Sequence, residues 1–156
     1  MNLKPQTRFR KCTNFGVRSL SLEQKSLTMQ QAIDIAVQHH TAGDLSKAEG
    51  IYQQILQADP NQPVALHLLG VIAHQQGDND QAVYLIKNAL VVNPDYAEAH
   101  SNLGIVFTEL GQLEEAAASY RKSIEIGPGF VDAYNNLGKL LRQLGQPEEA
   151  IANYKR

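Results

Sequence analysis

Residues 63–96 read PVALHLLGVIAHQQGDNDQAVYLIKNALVVNPDY and residues 97–130 read AEAHSNLGIVFTELGQLEEAAASYRKSIEIGPGF, so that Leu-Gly, Gly, Ala and Pro fall at the same places in both. The offset is 34 residues, and it continues outside these two stretches. Pro60, Pro94 and Pro128 keep it, as do Gly43, Gly77, Gly111 and Gly145, and Ala48, Ala82, Ala116 and Ala150. Leu69, Leu103 and Leu137 keep it too, each followed by glycine. A fixed period of this size marks an architecture in which each repeat is one supersecondary unit. With each proline set at position 32, the units begin at Met29, Pro63, Ala97 and Val131.

Each unit reads as two helices parted by a glycine turn. In the third, His100, Leu103, Gly104 and Phe107 follow the spacing of one helix face, and after Gly111 a second stripe runs Leu113, Ala116, Ala117, Tyr120 and Ile124. Asp59-Pro60, Asn93-Pro94 and Gly127-Pro128 close the pairs, since proline cannot continue a helix. Pro63 and Pro147 stand where a helix begins, the place where a missing N–H costs least.

The pattern resembles the tetratricopeptide repeat, whose small residues at positions 8 and 20 and large ones at 4, 7, 11 and 24 stand here. In the fourth unit these are Tyr134, Leu137, Gly138, Leu141, Ala150 and Tyr154, and in the first the weaker set Ala32, Ile35, Ala36 and His39 precedes Ala48, Tyr52 and Pro60. The resemblance implies an all-α, right-handed superhelical solenoid of about four antiparallel helix pairs. Its units are 29–62, 63–96, 97–130 and an incomplete 131–156, preceded by a leader at 1–28. Small residues at positions 8 and 20 let helix backbones approach, so the repeat specifies size and not reactivity. Each unit covers its neighbour's apolar face. The fourth unit stops at position 26 without a capping helix, which suggests a longer array and exposed Ile151 and Tyr154 that fray or self-associate.

Charge divides the chain. Residues 1–28 hold six basic side chains and one acidic, whereas residues 29–156 hold eight basic and fifteen acidic. An acidic repeat body is a poor match for nucleic acid. The leader is read as disordered or as a partial cap, with Phe15, Val17, Leu20, Leu22 and Leu27 available to cover the first repeat. A transit peptide and an extension upstream of Met29 are the other readings. No run approaches the roughly 20 apolar residues that span a bilayer, so no membrane partner is expected. The one cysteine, Cys12, makes no internal disulfide or thiolate cluster, and a reducing, cytoplasmic setting is the expectation.

Catalytic constellations are missing from the sequence. It contains no phosphate-binding glycine loop, no His-Glu-x-x-His and no Gly-x-Ser-x-Gly. The acidic pairs Glu114-Glu115 and Glu148-Glu149 open second helices, where the dipole favours anions. His67 and His74 share a helix face but lie about 10 Å apart along it, too far for one metal ion. The chain is therefore expected to be no enzyme, with no metal and no cofactor.

Binding is the better expectation. Positions 2, 5, 9 and 12 of each first helix form a stripe opposite the packing stripe, and in the tetratricopeptide family that stripe lines the concave surface. It runs through Gln30, Ile33, Val37 and His40; Val64, His67, Val71 and His74; Glu98, Ser101, Ile105 and Thr108; then Asp132, Asn135, Lys139 and Arg142. Position 6 adds Asp34, Leu68, Asn102 and Asn136. The last two resemble the asparagine ladder of O-GlcNAc-transferase-like superhelices, where an amide both donates to and accepts from a peptide backbone. Asp34 and Leu68 interrupt it. The family's clamp for acidic C-terminal tails needs Lys, Arg and Asn where Ile33, Val37 and Leu68 stand, so it is not expected. The resemblance thus implies an interaction scaffold holding a peptide or protein through His67, His74, Ser101, Asn102, Asn135, Asn136, Lys139 and Arg142. The alternatives are the repeat arm of a larger transferase and an architectural role in self-association.

Overall fold

A computed structural model describes residues 27–146 and contains, among them, seven helices. They are α1 (Met29–Thr41), α2 (Leu45–Ala58), α3 (Pro63–Gln75), α4 (Asn79–Val92), α5 (Ala97–Glu109), α6 (Leu113–Ile126) and α7 (Val131–Gln143). The first helices begin at the sequence-predicted unit starts, and the second helices keep the same period. Pro147, Ala150, Ile151 and Tyr154, and with them the fourth unit's second helix, lie outside the described residues, as does most of the leader.

Local chemistry sets the boundaries. Thr28 Oγ1 accepts from the Gln31 N–H at 3.2 Å and Gln31 Oε1 accepts from the Thr28 N–H at 2.9 Å, a capping box that starts α1. Pro63 is the first residue of α3, and the Gln62 side chain accepts from the amides of Val64 and Ala65. Each first helix ends alike. Gly43 has φ +80°, the left-handed region that glycine enters without a Cβ clash. Its N–H donates to the His40 carbonyl while that of Asp44 donates to the His39 carbonyl, the double bond of a Schellman cap.

The pairs stack through two adjoining apolar clusters. One gathers Ala32, Ala36, Ala48, Tyr52 and Ile55 with Ala65 and Ile72, and the other runs from Leu66 through Ile86, Phe107 and Tyr120 to Leu141. Leu56 and Leu69 pack against both, so the core is continuous along the solenoid. Position 8 is small because position 24 fills its space. A Cβ on Gly70 would lie 2.7 Å from Ile86 Cγ1. The result is an all-α right-handed solenoid in which α1, α3, α5 and α7 form one face and α2, α4 and α6 the other.

Candidate functional site

First helices of successive units touch through polar side chains, and the register of that contact is 35 residues, not 34. His40 Nε2 lies 3.3 Å from Gln75 Oε1, His74 Nε2 lies 3.6 Å from Glu109 Oε1, and Asn102 Nδ2 donates to His67 Nε2 at 2.8 Å. Each contact, two of them hydrogen bonds, pairs a side chain with the next position of the following unit. Together they stitch the floor of the face formed by α1, α3, α5 and α7.

His67 is the centre of this floor. Its Nδ1 lies 3.0 Å from the Tyr96 hydroxyl, and the two rings meet edge to face with centroids 4.8 Å apart. The imidazole is only 2% exposed. Burial, with a smaller contribution from His40, pushes its pKa down to about 4, so the ring is neutral at neutral pH. Burial, assisted by Glu98, pushes the Tyr96 hydroxyl up to about 12. Tyr96, His67 and Asn102 are therefore an uncharged chain of hydrogen bonds, with His67 buried between a half-buried Tyr96 and a half-buried Asn102.

The remaining residues divide by exposure. His74 is partly buried, with Nδ1 2.9 Å from Asn79 Oδ1. Thr108 Oγ1 donates to the Gly104 carbonyl at 2.8 Å and lies 3.3 Å from the Tyr120 hydroxyl. Asn135, Lys139 and Arg142 are exposed on α7, and Asn136 is half-buried there. Ser101 is 3% exposed. Burial takes the side chains of His67 and Ser101 out of the solvent-facing stripe to which the sequence pattern assigned them. Position 5 faces the neighbouring first helix, beneath position 6 of the next unit, and Ile33 is buried for the same reason. Of the predicted set, the structure joins only His67 and Asn102 directly.

Sequence reading missed Tyr96, Gln75 and Glu109. Tyr96 occupies position 34, where Phe130 stands one unit later; an aromatic there was the available signal. Gln75 and Glu109 are visible only through the 35-residue offset.

Elsewhere, a cleft of about 190 Å³ lies between α2, α3 and α4, lined by Glu49, Gln53, Gln76, Asp78 and Gln81 with Leu69, Ile72, Ala73 and Leu85. Small-molecule pockets usually measure about 300–1,000 Å³, so the cleft is undersized for one. Among the described residues, no three or more His, Cys, Asp or Glu side chains gather as a metal site, and no helix is long and apolar enough to cross a membrane.

Models of the TPR repeat match residues 70–111 and 106–145, and one of the tetratricopeptide repeat matches 51–84. A search of curated protein sequences found no match. Among solved structures, the crystal structure of MamA is 24% identical with a TM-score of 0.74, over 82% of this chain and 75% of that one. A mutant O-GlcNAc transferase from Thermobaculum terrenum is 28% identical with a TM-score of 0.71, over 77% of this chain but only 23% of the transferase. The first TPR of Spaghetti (RPAP3), bound to the HSP90 peptide SRMEEVD, is 24% identical with a TM-score of 0.70, over 75% of this chain and 93% of that one. The 34-residue helix pairs, the small residues at position 8 and these matches have one explanation: the chain belongs to the tetratricopeptide-repeat family.

Proposed function

We propose that the chain is a protein-interaction scaffold that holds an extended segment of a partner along the face of α1, α3, α5 and α7. One observation carries this reading: Asn102 stands half-exposed on that face, held by a buried histidine, in line with Asn136, Lys139 and Arg142 one unit on. Amides suit a peptide backbone, which offers a donor and an acceptor at every residue. The cations at the α7 end favour an acidic stretch there. At fold level, the RPAP3 structure supplies a precedent for a peptide held by such repeats. The repeat fold is typically non-catalytic, and a cytoplasmic setting is part of the proposal.

Isotope-labelled protein titrated with short unstructured peptides tests the reading. Shifts confined to first-helix residues support it, and shifts confined to α2, α4 and α6 overturn it.

A second reading takes the chain as the repeat arm of a larger transferase, favoured by the 28% identity to the O-GlcNAc transferase over about a quarter of that enzyme. A full-length transcript encoding a transferase domain after residue 156 supports it, and a stop codon there removes it.

A further inference from the structure

The cleft between α2, α3 and α4 lies where the repeat carries a small residue in place of a large one. Position 11 is Ala73 in the second unit and Phe107 in the third, where the buried ring occupies the corresponding space. The Lys87 ammonium lies 5.3 Å from the centroid of that ring, close enough for a cation–π contact. One unit earlier the same construction is left open. Beside Ala73 there is a volume of about 190 Å³, and Gln53 stands where Lys87 does in the next unit. Glu49 and Asp78 stand in place of Val83 and Gln112, so the lining carries two carboxylates and no basic side chain.

We propose that this cleft is a socket for one arginine side chain presented by a partner protein. It is separate from the first-helix groove and does not rest on the peptide-holding reading above. Glu49 is the anchor. Gln53 Nε2 donates to its Oε1 at 3.0 Å and Gln76 Nε2 donates to its Oε2 at 3.3 Å, so the half-buried carboxylate is held from α2 and from the end of α3. Among the described residues no cation of the chain pairs with it. A carboxylate accepts about four hydrogen bonds, which leaves each oxygen able to take one N–H of a guanidinium fork. Asp78 Oδ1 already accepts from the Gln81 N–H at 3.0 Å, and its charge adds to that of Glu49. Leu69, Ile72 and Leu85 in the lining supply apolar surface for the methylene stem. Lysine suits the site less well, because its compact ammonium is strongly hydrated, whereas a guanidinium is planar, weakly hydrated and rich in donors. The volume admits one side chain and falls short of the usual small-molecule pocket.

Three probes test the socket in the isotope-labelled full chain: acetyl-arginine amide, its uncharged isostere acetyl-citrulline amide, and acetyl-lysine amide. Binding is read from the side-chain amide resonances of Gln53, Gln76 and Gln81. The arginine probe is expected to shift them saturably at about millimolar concentration. It should bind about tenfold or more tightly than citrulline, the ratio that hydrogen bonds to a charged group supply, and more tightly than lysine. Glu49→Gln keeps the shape of the side chain and removes its charge, and is expected to bring arginine down to the citrulline level. Ala73→Phe installs the residue that the third unit carries and is expected to close the socket to all three probes; should that variant fail to fold, Glu49→Gln decides alone. Absence of any shift at the three glutamines, equal affinity for arginine and citrulline, or an arginine affinity unchanged in Glu49→Gln overturns the proposal. So do shifts of similar size at exposed carboxylates elsewhere, such as Glu114 and Asp132, which would mark unselective ion pairing.

Discussion

A Cβ placed on Gly104 would lie 2.6 Å from Cε1 of Tyr120 and within 2.9 Å of two further atoms of that ring. The glycine is there for space alone, since it sits inside α5 with no positive φ. Gly104→Leu is expected to destabilise the protein by about 1–3 kcal/mol through overpacking. Gly104→Ala should cost less, because alanine recovers about 1 kcal/mol of helix propensity and the first unit already carries Ala36 at the equivalent position, in one buried cluster with Tyr52. Denaturant midpoints for the two variants check the order.

Gly77 is the converse case. Its φ is +87° and a Cβ placed there would meet nothing within 4 Å, so backbone conformation alone resists substitution. Gly77→Ala should cost about 1–2 kcal/mol, whereas a D-alanine introduced there by chemical ligation should cost little. Equal losses with both enantiomers would contradict the turn geometry.

Stability should also report the burial of His67. Its pKa is about 4 in the fold against 6.5 for a free histidine, so the fold favours the neutral ring. Above pH 6.5 both states are uncharged and nothing changes. Between 6.5 and 4 only the unfolded chain binds the proton, and stability falls as pH falls; below 4 the loss levels off. The full effect is roughly 3 kcal/mol. His67→Gln removes the titration, so its stability should decline less than that of the unmodified protein over this window. Parallel curves would mean that the ring is not buried as described.

Sequence alone delivered the period, the helix starts at Met29, Pro63, Ala97 and Val131, and the glycine turns, because these depend on contacts repeated within every unit. It did not deliver the fate of position 5. Whether His67 faces solvent or a neighbouring helix depends on the rotation between units, and that rotation shifts the contact register by one residue, to His67 and Asn102. Heptad-like counting along one helix contains no term for it. Tyr96 was missed for a related reason, as it lies between two units and belongs to neither helix pattern.

Charge at the α7 end predicts a salt dependence. Lys139 and Arg142 are exposed, so replacing both by alanine should weaken acidic peptides and leave neutral ones alone. The difference should shrink as salt rises from low concentration to about 1 M, where the screening length falls to about 3 Å. Titrations at two salt concentrations decide this.

The central claim is that the first-helix face grips a partner's backbone, and the double variant Asn102→Ala with Asn136→Ala tests it most directly. Calorimetric titration of extended peptides of unrelated sequence, against variant and unmodified protein of equal thermal stability, is the measurement. Each lost hydrogen bond is worth on the order of 1 kcal/mol, so every peptide should bind about tenfold or more weakly, by a similar factor irrespective of its side chains. Unchanged affinities across the panel would contradict the account.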